Sequence, residues 1–271
     1  MHESSSQLTS SQQRATPPPL EKGQEGEVAI STHLLTKRFG NFTAVDAITF
    51  DVVRGEIFGF LGANGAGKTT AMRMLCGLSF PTSGQATVAG FDLFKNPEQI
   101  KKSIGYMSQK FSLYEDLTVR ENIRFYGGIY GLTDEQINTK TDFMLGNLKM
   151  ESEGKTLVKS LPLGWRQKLS FSVAMVHDPK IIFLDEPTGG VDPITRREFW
   201  TLIYQAAENG TTVFVTTHYM DEAEYCGRVC IMVDGRIDAL GSPTELKEKF
   251  SAKDMGEVFL KLARKAIRRD D

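Results

Sequence analysis

The chain has 271 residues, 40% of them hydrophobic, with 32 basic and 34 acidic side chains and a formal net charge of −2 at pH 7. That length suits one full α/β domain with a large core and a small appendage, and the balanced charge gives no electrostatic reason to expect nucleic acid as a partner. Three cysteines make no disulfide framework, Cys226 and Cys230 lack the company of a zinc site, and no apolar run is long enough to cross a bilayer, so a reducing cytosol is expected.

Residues 1–26 are rich in Ser, Gln, Thr and Pro around Pro17-Pro18-Pro19, without the apolar core of a signal peptide, and are expected to form a disordered tail. From Val28 to Leu61 the pattern is that of β structure: Val28-Ala29-Ile30 starts one strand, Ala44-Val45 and Ile48 to Val52 suggest another, and Ile57 to Leu61 is a short buried strand. Phe39, in Lys37-Arg38-Phe39-Gly40, either stacks on a nucleotide base or lids the core. The strand at Ile57 runs into Gly62-Ala63-Asn64-Gly65-Ala66-Gly67-Lys68-Thr69-Thr70, and apolar residues at helical spacing follow. Strand, glycine loop and helix are the context that the phosphate-binding pattern G-x-x-x-x-G-K-[ST] requires. Glycines let backbone N–H groups approach a triphosphate, the helix N-terminus adds partial positive charge, Lys68 reaches the β and γ phosphates, and the Thr69 hydroxyl binds Mg²⁺.

Beyond the loop, Pro81 to Gln85 is a turn, Ala86-Thr87-Val88 a strand, Asp92 to Ser103 a polar surface helix, and Ile104 to Gln109 a short strand ending in an amide. Residues 111 to about 158 change to helical patterning. Thr118 with Glu121 marks one helix start, and Thr133-Asp134 with Gln136 marks another. Leu161 to Val176 is helical. Ile181 to Glu186 is an apolar strand ending in two carboxylates. Pro193 to Ala207 is helical, Thr212 to His218 is a strand ending in histidine, and Asp221 to Tyr225 starts a short helix. Asp234-Gly235 joins two short strands as a hairpin, and Leu246 to Arg269 is expected to be one basic, peripheral helix. Strands alternating with helices imply a parallel sheet in an α/β core.

Ligands bind at the carboxyl edge of such a sheet, where Asp185 and Glu186 fall. Asp185 is placed to hold Mg²⁺ and Glu186 to orient or deprotonate an attacking water, and the competing reading is two acids that merely cap a strand. Gln109 also ends a strand and can bind Mg²⁺ and the water together. His218 can donate to the γ-phosphate.

The order of these motifs resembles the nucleotide-binding subunit of an ATP-binding cassette (ABC) transporter, from about Val28 to about Phe250. The resemblance implies a P-loop ABC ATPase: a RecA-like parallel-sheet core, an N-terminal antiparallel β subdomain, and a helical subdomain at about residues 111–165. The domain spans residues 27–250, and a basic helix or tail fills residues 251–271. It implies ATP and Mg²⁺ as cofactors, with Gly62 to Thr70 as Walker A, Gln109 as the Q-loop, Asp185 and Glu186 as Walker B and its glutamate, Asp192 as the D-loop, His218 as the switch histidine and Phe39 at the base-stacking position. It also implies two partners. A second cassette, a copy or a paralogue, closes head-to-tail on ATP, and an integral membrane permease docks on the helical subdomain, which places the chain on the cytoplasmic face of the inner membrane. Phe111, Leu113, Tyr114 and Tyr126 are either contacts for that permease or ordinary core.

The signature segment departs from the family's LSGGQ. Here it is Leu161-Pro162-Leu163-Gly164-Trp165. Pro162 has neither hydroxyl nor N–H, Leu163 keeps its amide under a bulky side chain, and Gly164 is retained. Each lost hydrogen bond is worth about 1 kcal/mol net, so hydrolysis is slowed by roughly tenfold to a hundredfold, unless Leu163, Gly164, Arg166, Gln167 and the helix dipole suffice. The run Thr217 to Glu224 and the Gly241 to Leu246 stretch are similar to those of exporters whose permease is a separate protein. Cassette ATPases of translation or DNA repair, and a degenerate partner of an intact second cassette, are the alternatives. A GTPase or kinase shares only the glycine loop.

Overall fold

The computed structural model describes residues 26–109 and 113–267. The N-terminal β segment forms two long antiparallel strands, β1 (Val28–Phe39) and β2 (Phe42–Val53), with Phe39 paired to Phe42 across the turn. β4 (Ser83–Val88) and β5 (Phe91–Asp92) extend them into a four-stranded sheet ordered β2-β1-β4-β5. The second sheet has six strands, ordered β10-β9-β3-β8-β7-β6. They are β3 (Ile57–Leu61), β6 (Ile104–Met107), β7 (Ile181–Asp185), β8 (Thr212–Thr217), β9 (Arg228–Val233) and β10 (Arg236–Gly241). All neighbours are parallel except the β9–β10 hairpin at one edge.

β3, β7 and β8 are buried at every position, which is why their sequences show no polar alternation; their few polar residues, the β8 threonines and Asp185, are themselves buried. The period of two shows instead in which core each side chain enters. Phe58 and Phe60 join Phe50, Phe183 and Phe214 in the core between the two sheets, where α1 (Lys68–Leu75) also packs. Ile57 and Leu61 face the opposite core, built with Phe199, Trp200 and Ile203 of α6 (Pro193–Glu208). The helical segment forms a third core with α3 (Val119–Ile129), α4 (Asp134–Leu148) and part of α5 (Leu163–Ala174). Both expected helix starts are capping boxes, Thr118 with Glu121 and Thr133 with Gln136.

Three expectations are corrected. The helix expected over Asp92 to Ser103 is α2 (Pro97–Ser103) alone, because Asp92 Oδ1 accepts from the Phe94 and Lys95 amides and holds a turn, while Pro97 suits a first helical position. The C-terminal segment is two helices, α7 (Pro243–Lys249) and α8 (Met255–Ile267), broken at Ser251 with φ 47°. α8 is not peripheral: Met255, Val258 and Leu262 are buried in the second core. α5 links the two units: its Leu169 and Val173 serve the helical core, and its Phe171 and Ala174 serve the second core.

Two side-chain bridges tie the units together. The Tyr130 ring of α3 stacks on His177 at 3.5 Å, and His177 Nε2 lies 3.0 Å from the Ile104 carbonyl that opens β6. Glu56, buried between the sheets, accepts from Arg228 Nε at 2.6 Å and Nη2 at 2.8 Å, and Arg228 also donates to the Asp51 carbonyl. Arg228→Ala strands a buried carboxylate and is expected to lower unfolding stability by about 3 kcal/mol, measured by urea titration. An unchanged midpoint would show that the bridge contributes nothing.

Candidate functional site

The glycine loop is wedged between two other chain segments. Gly67 sits at φ 97°, and a Cβ there would lie 2.3 Å from the Ala44 carbonyl oxygen of β2. A Cβ on Gly62 would lie 2.5 Å from the Met232 carbonyl oxygen of β9. The tip of the β9–β10 hairpin braces the loop: Gly235 N donates to Ala66 O at 3.2 Å and Asp46 N donates to Gly235 O at 2.8 Å. Asp234 and Gly235 both have positive φ, as the two-residue hairpin turn demands.

The loop opens onto a cavity of about 440 Å³, lined by Asn64, Gly65, Gly67, Lys68, Thr69 and Thr70 together with Phe42, Ala44, Gln109 and Glu186. Lys68 is buried, and its Nζ donates to Gly62 O at 2.9 Å and Ala63 O at 3.2 Å while lying 3.5 Å from Glu186 Oε1. Gln109 Nε2 donates to Glu186 Oε2 at 2.9 Å, and His218 Nδ1 lies 3.0 Å from the same oxygen. Asp185 Oδ1 accepts from Thr216 Oγ1 at 2.7 Å and Thr69 Oγ1 at 3.2 Å. Lys68, Thr69, Gln109, Asp185, Glu186 and His218, scattered along the sequence, thus meet at the carboxyl edge of the parallel sheet. The geometry departs from two acids simply capping a strand: Asp185 is buried and Glu186 is turned into a left-handed conformation, φ 49°, which costs on the order of 1–3 kcal/mol in a non-glycine residue. Burial pushes the Asp185 carboxyl above its usual range, opposed by the Thr216 and Thr69 hydroxyls, and burial pulls the Lys68 ammonium down, opposed by Glu186.

Other candidates lie elsewhere. Phe39 ends β1, half exposed, with Lys37 Nζ 5.0 Å above its ring, and the aromatic ring that lines the cavity is Phe42, three residues on and across the turn. Leu163, Gly164 and Asp192 form a second surface away from the cavity wall, at the starts of α5 and α6. A Cβ on Gly164 would come 2.5 Å from Thr195 Cγ2, so the two helix starts are in contact. Asp192 caps α6, its Oδ1 accepting from the Ile194 and Thr195 amides. Arg166 and Gln167, expected to face a nucleotide, turn inward. Arg166 donates to the Leu161 and Lys159 carbonyls and reaches Glu115, and buried Gln167 donates to Gly189 O at 3.1 Å. Of the four proposed contacts, Leu113 is core and Tyr126 is half-buried. Tyr114 is exposed, and Phe111 lies outside the described residues. Phe42, Ala44 and Thr216 were not singled out from sequence. The aromatic at 42 and the threonine at a strand end were visible, but nothing in their spacing distinguished them.

A model described as ABC transporter matches residues 45–189. The chain is 48% identical over 247 residues to the "Probable multidrug ABC transporter ATP-binding protein YbhF" of Escherichia coli (strain K12), an alignment covering 89% of this chain and 43% of that protein. It is 36% identical over 234 residues to the "Nod factor export ATP-binding protein I" of Rhizobium sp. (strain N33), covering 86% of this chain and 77% of that protein. The fold matches a solved structure titled "Structure of ATP binding subunit of ABC transporter" with a TM-score of 0.78 at 25% identity, covering 86% of this chain and 99% of that one. The chain therefore spans less than half of the first of these relatives.

The raised Asp185 carboxyl has a consequence for stability. The folded state binds this proton more readily than the unfolded chain, so the group costs stability as pH rises through its raised value, and the cost is absent at low pH. Asp185→Asn keeps acceptors for Thr69 and Thr216 without the charge. In urea titrations of nucleotide-free protein its midpoint is expected to exceed that of the unsubstituted chain, by a margin that widens between about pH 4 and pH 7. A margin that is constant or shrinks over that range would overturn the assignment.

Proposed function

The chain belongs to the ABC transporter family, and we propose that it is the ATP-binding and ATP-hydrolysing cassette of an exporter whose membrane permease is a separate protein. The observation that carries this reading is the Glu186 carboxylate, held at one point by Gln109 and His218 and facing buried Lys68 across the glycine loop. Lys68 and the loop amides from Gly62 to Thr70 bind the phosphates. Phe42 lies on the cavity wall and Phe39 across the same turn, and one of these rings stacks on the base. The donor set of Thr69 Oγ1, Asp185 and the Gln109 amide oxygen consists of hard oxygens and fits Mg²⁺, which would neutralise charge on the phosphate oxygens.

Hydrolysis follows from where the groups stand. A water held by Glu186 attacks the γ-phosphorus in line, the new P–O bond forms as the bond to the β-phosphate oxygen breaks, and the water's proton passes to the Glu186 carboxylate. His218 and Gln109 fix the orientation of that carboxylate, so little reorganisation is left for the reaction itself.

The second surface, with Leu163, Gly164 and Asp192, is the one offered to a second cassette in a head-to-tail pair. Proline as the N-cap of α5 is structurally comfortable, and a helix's first amides lie outside its own hydrogen bonds and can face a phosphate. With Arg166 and Gln167 committed inward, the grip on a partner's nucleotide rests on those amides and the helix dipole. The permease docks on the helical unit, where Tyr114, Phe125 and Tyr126 form a ring cluster with centroids 4.8 to 6.3 Å apart and Ile129 and Phe143 are exposed. No helix among the described residues is long and apolar enough to cross a membrane. The cassette is peripheral, at the cytoplasmic face of the inner membrane, and its attachment there is through the permease.

Glu186→Gln is expected to bind ATP and to lose at least about a hundredfold in hydrolysis. Light scattering of this variant with and without Mg-ATP tests the pairing: a doubled mass with ATP supports a homodimeric motor, and a monomer with bound ATP points to a second, different cassette. Lys68→Ala is expected to weaken ATP binding about tenfold or more, read by fluorescence titration. Unchanged hydrolysis in the first variant, or unchanged affinity in the second, would overturn the roles given to these residues.

A further inference from the structure

We propose that Glu222 is a positioning residue for hydrolysis, its buried carboxyl clamping the segment after Glu186 to the segment after His218 and so setting how those two side chains meet. This rests on the placement of Glu186 and His218 in the hydrolytic site.

The need for a clamp lies in the sheet. β7 and β8 are registered up to Asp185 opposite Thr216, and one more contact, Glu186 N to Thr216 O at 3.1 Å, closes their ladder. Beyond it both chains leave the sheet, yet Glu186 Oε2 and His218 Nδ1 stand 3.0 Å apart. The next side-chain connection between the two segments is the hydrogen bond that Thr188 Oγ1 donates to Glu222 Oε1. Thr188 follows Glu186 by two residues, and Glu222, in the 3₁₀ turn Met220–Tyr225, follows His218 by four. The Glu222 side chain is wholly buried. Arg196 Nε of α6 lies 3.5 Å from the same Oε1, and its guanidinium stacks 4.6 Å above the Tyr219 ring, which packs on His218 with centroids 4.1 Å apart. Arg196 also reaches Asp221 at the rim. One carboxyl therefore joins both strand exits and the first turns of α6.

A buried carboxyl is an expensive way to fill space. Burial pushes this one above its usual range, opposed chiefly by the Thr188 hydroxyl, and an apolar side chain would incur no such cost. The geometry explains the expense if the carboxyl's work is to hold two loops that the backbone ladder no longer reaches.

The test uses the full chain in five forms: unsubstituted, Glu222→Ala, Glu222→Gln, Thr188→Val and the double variant Glu222→Ala with Thr188→Val, and Glu186→Gln serves as the reference for a His218 that has lost its partner. Two quantities are read, the ¹⁵N imidazole signals of His218 in nucleotide-free protein and steady-state Mg-ATP hydrolysis. Glu222→Ala and Thr188→Val are each expected to move the His218 signals towards those of Glu186→Gln. Each should lower kcat between about tenfold and a hundredfold, with KM within about twofold. The double variant should lose no more than the worse single one. Glu222→Gln, which keeps an acceptor for Thr188, should recover kcat to within about threefold of the unsubstituted chain. Thr188→Val removes one hydroxyl at constant shape, so it carries the test if Glu222→Ala does not fold. Unmoved His218 signals in both variants, or losses that simply multiply, would overturn the clamp. Failure of the unsubstituted chain to bind or hydrolyse ATP would instead overturn the cassette reading, and the His218 signals would still decide the clamp.

Discussion

A buried lysine ammonium at the carboxyl edge of a parallel sheet is the interaction around which this molecule is arranged. Lys68 is withdrawn from water and answered by two loop carbonyls and by Glu186 at 3.5 Å, with Asp185 beside it. Isolated charges do not survive such burial, and these survive because each is paired and hydrogen-bonded. The arrangement requires three strands, β3, β7 and β8, to end at the same level, and the fully buried apolar runs of those strands fix that level. Glu186 is in addition held in a left-handed conformation, which costs on the order of 1–3 kcal/mol in a non-glycine residue.

The meeting place of these residues is legible in the sequence because they sit at the ends of regular elements. Gly62, which opens the glycine loop, Gln109, Asp185-Glu186 and His218 all lie at or within two residues of strand ends, so where a strand ends shows where its last polar residue lies. The same logic exposed the fold, since strands alternating with helices leave few topologies. What the sequence leaves open is a choice between neighbouring options. Phe39 and Phe42 flank one tight turn, and only the path of the hairpin determines which ring faces the loop. Arg166 and Gln167 look like ligands on paper, but their direction is set by partners outside the site, Glu115 ahead of α3 and the Gly189 carbonyl ahead of α6. The break in the C-terminal helix comes from Ser251 at positive φ, a conformation that the sequence does not mark with glycine.

The helical unit is joined to the sheet through specific side-chain contacts and through a shared helix. Its Tyr130 rests on His177, and His177 meets the carbonyl at the start of β6, the strand that leads towards Gln109. α5 then shares its two faces between the helical core and the second core. The helical unit proposed to receive the permease and the amide that touches Glu186 are thus linked through Tyr130, His177 and β6.

The brace of the glycine loop by the β9–β10 hairpin has a consequence in the order of synthesis. The loop emerges early, but its backbone is held by Ala66 on Gly235 and by the approach of Gly62 to Met232, and the neighbouring Glu56–Arg228 bridge spans 172 residues of sequence. β3 cannot complete its place until β8 and β9 arrive on either side. A ribosome-bound chain that already carries every residue of the loop therefore has no formed loop, and through most of its elongation it exposes a bare apolar strand, Ile-Phe-Gly-Phe-Leu. Long-range pairing of this kind slows folding and prolongs the exposure of unpaired apolar strand.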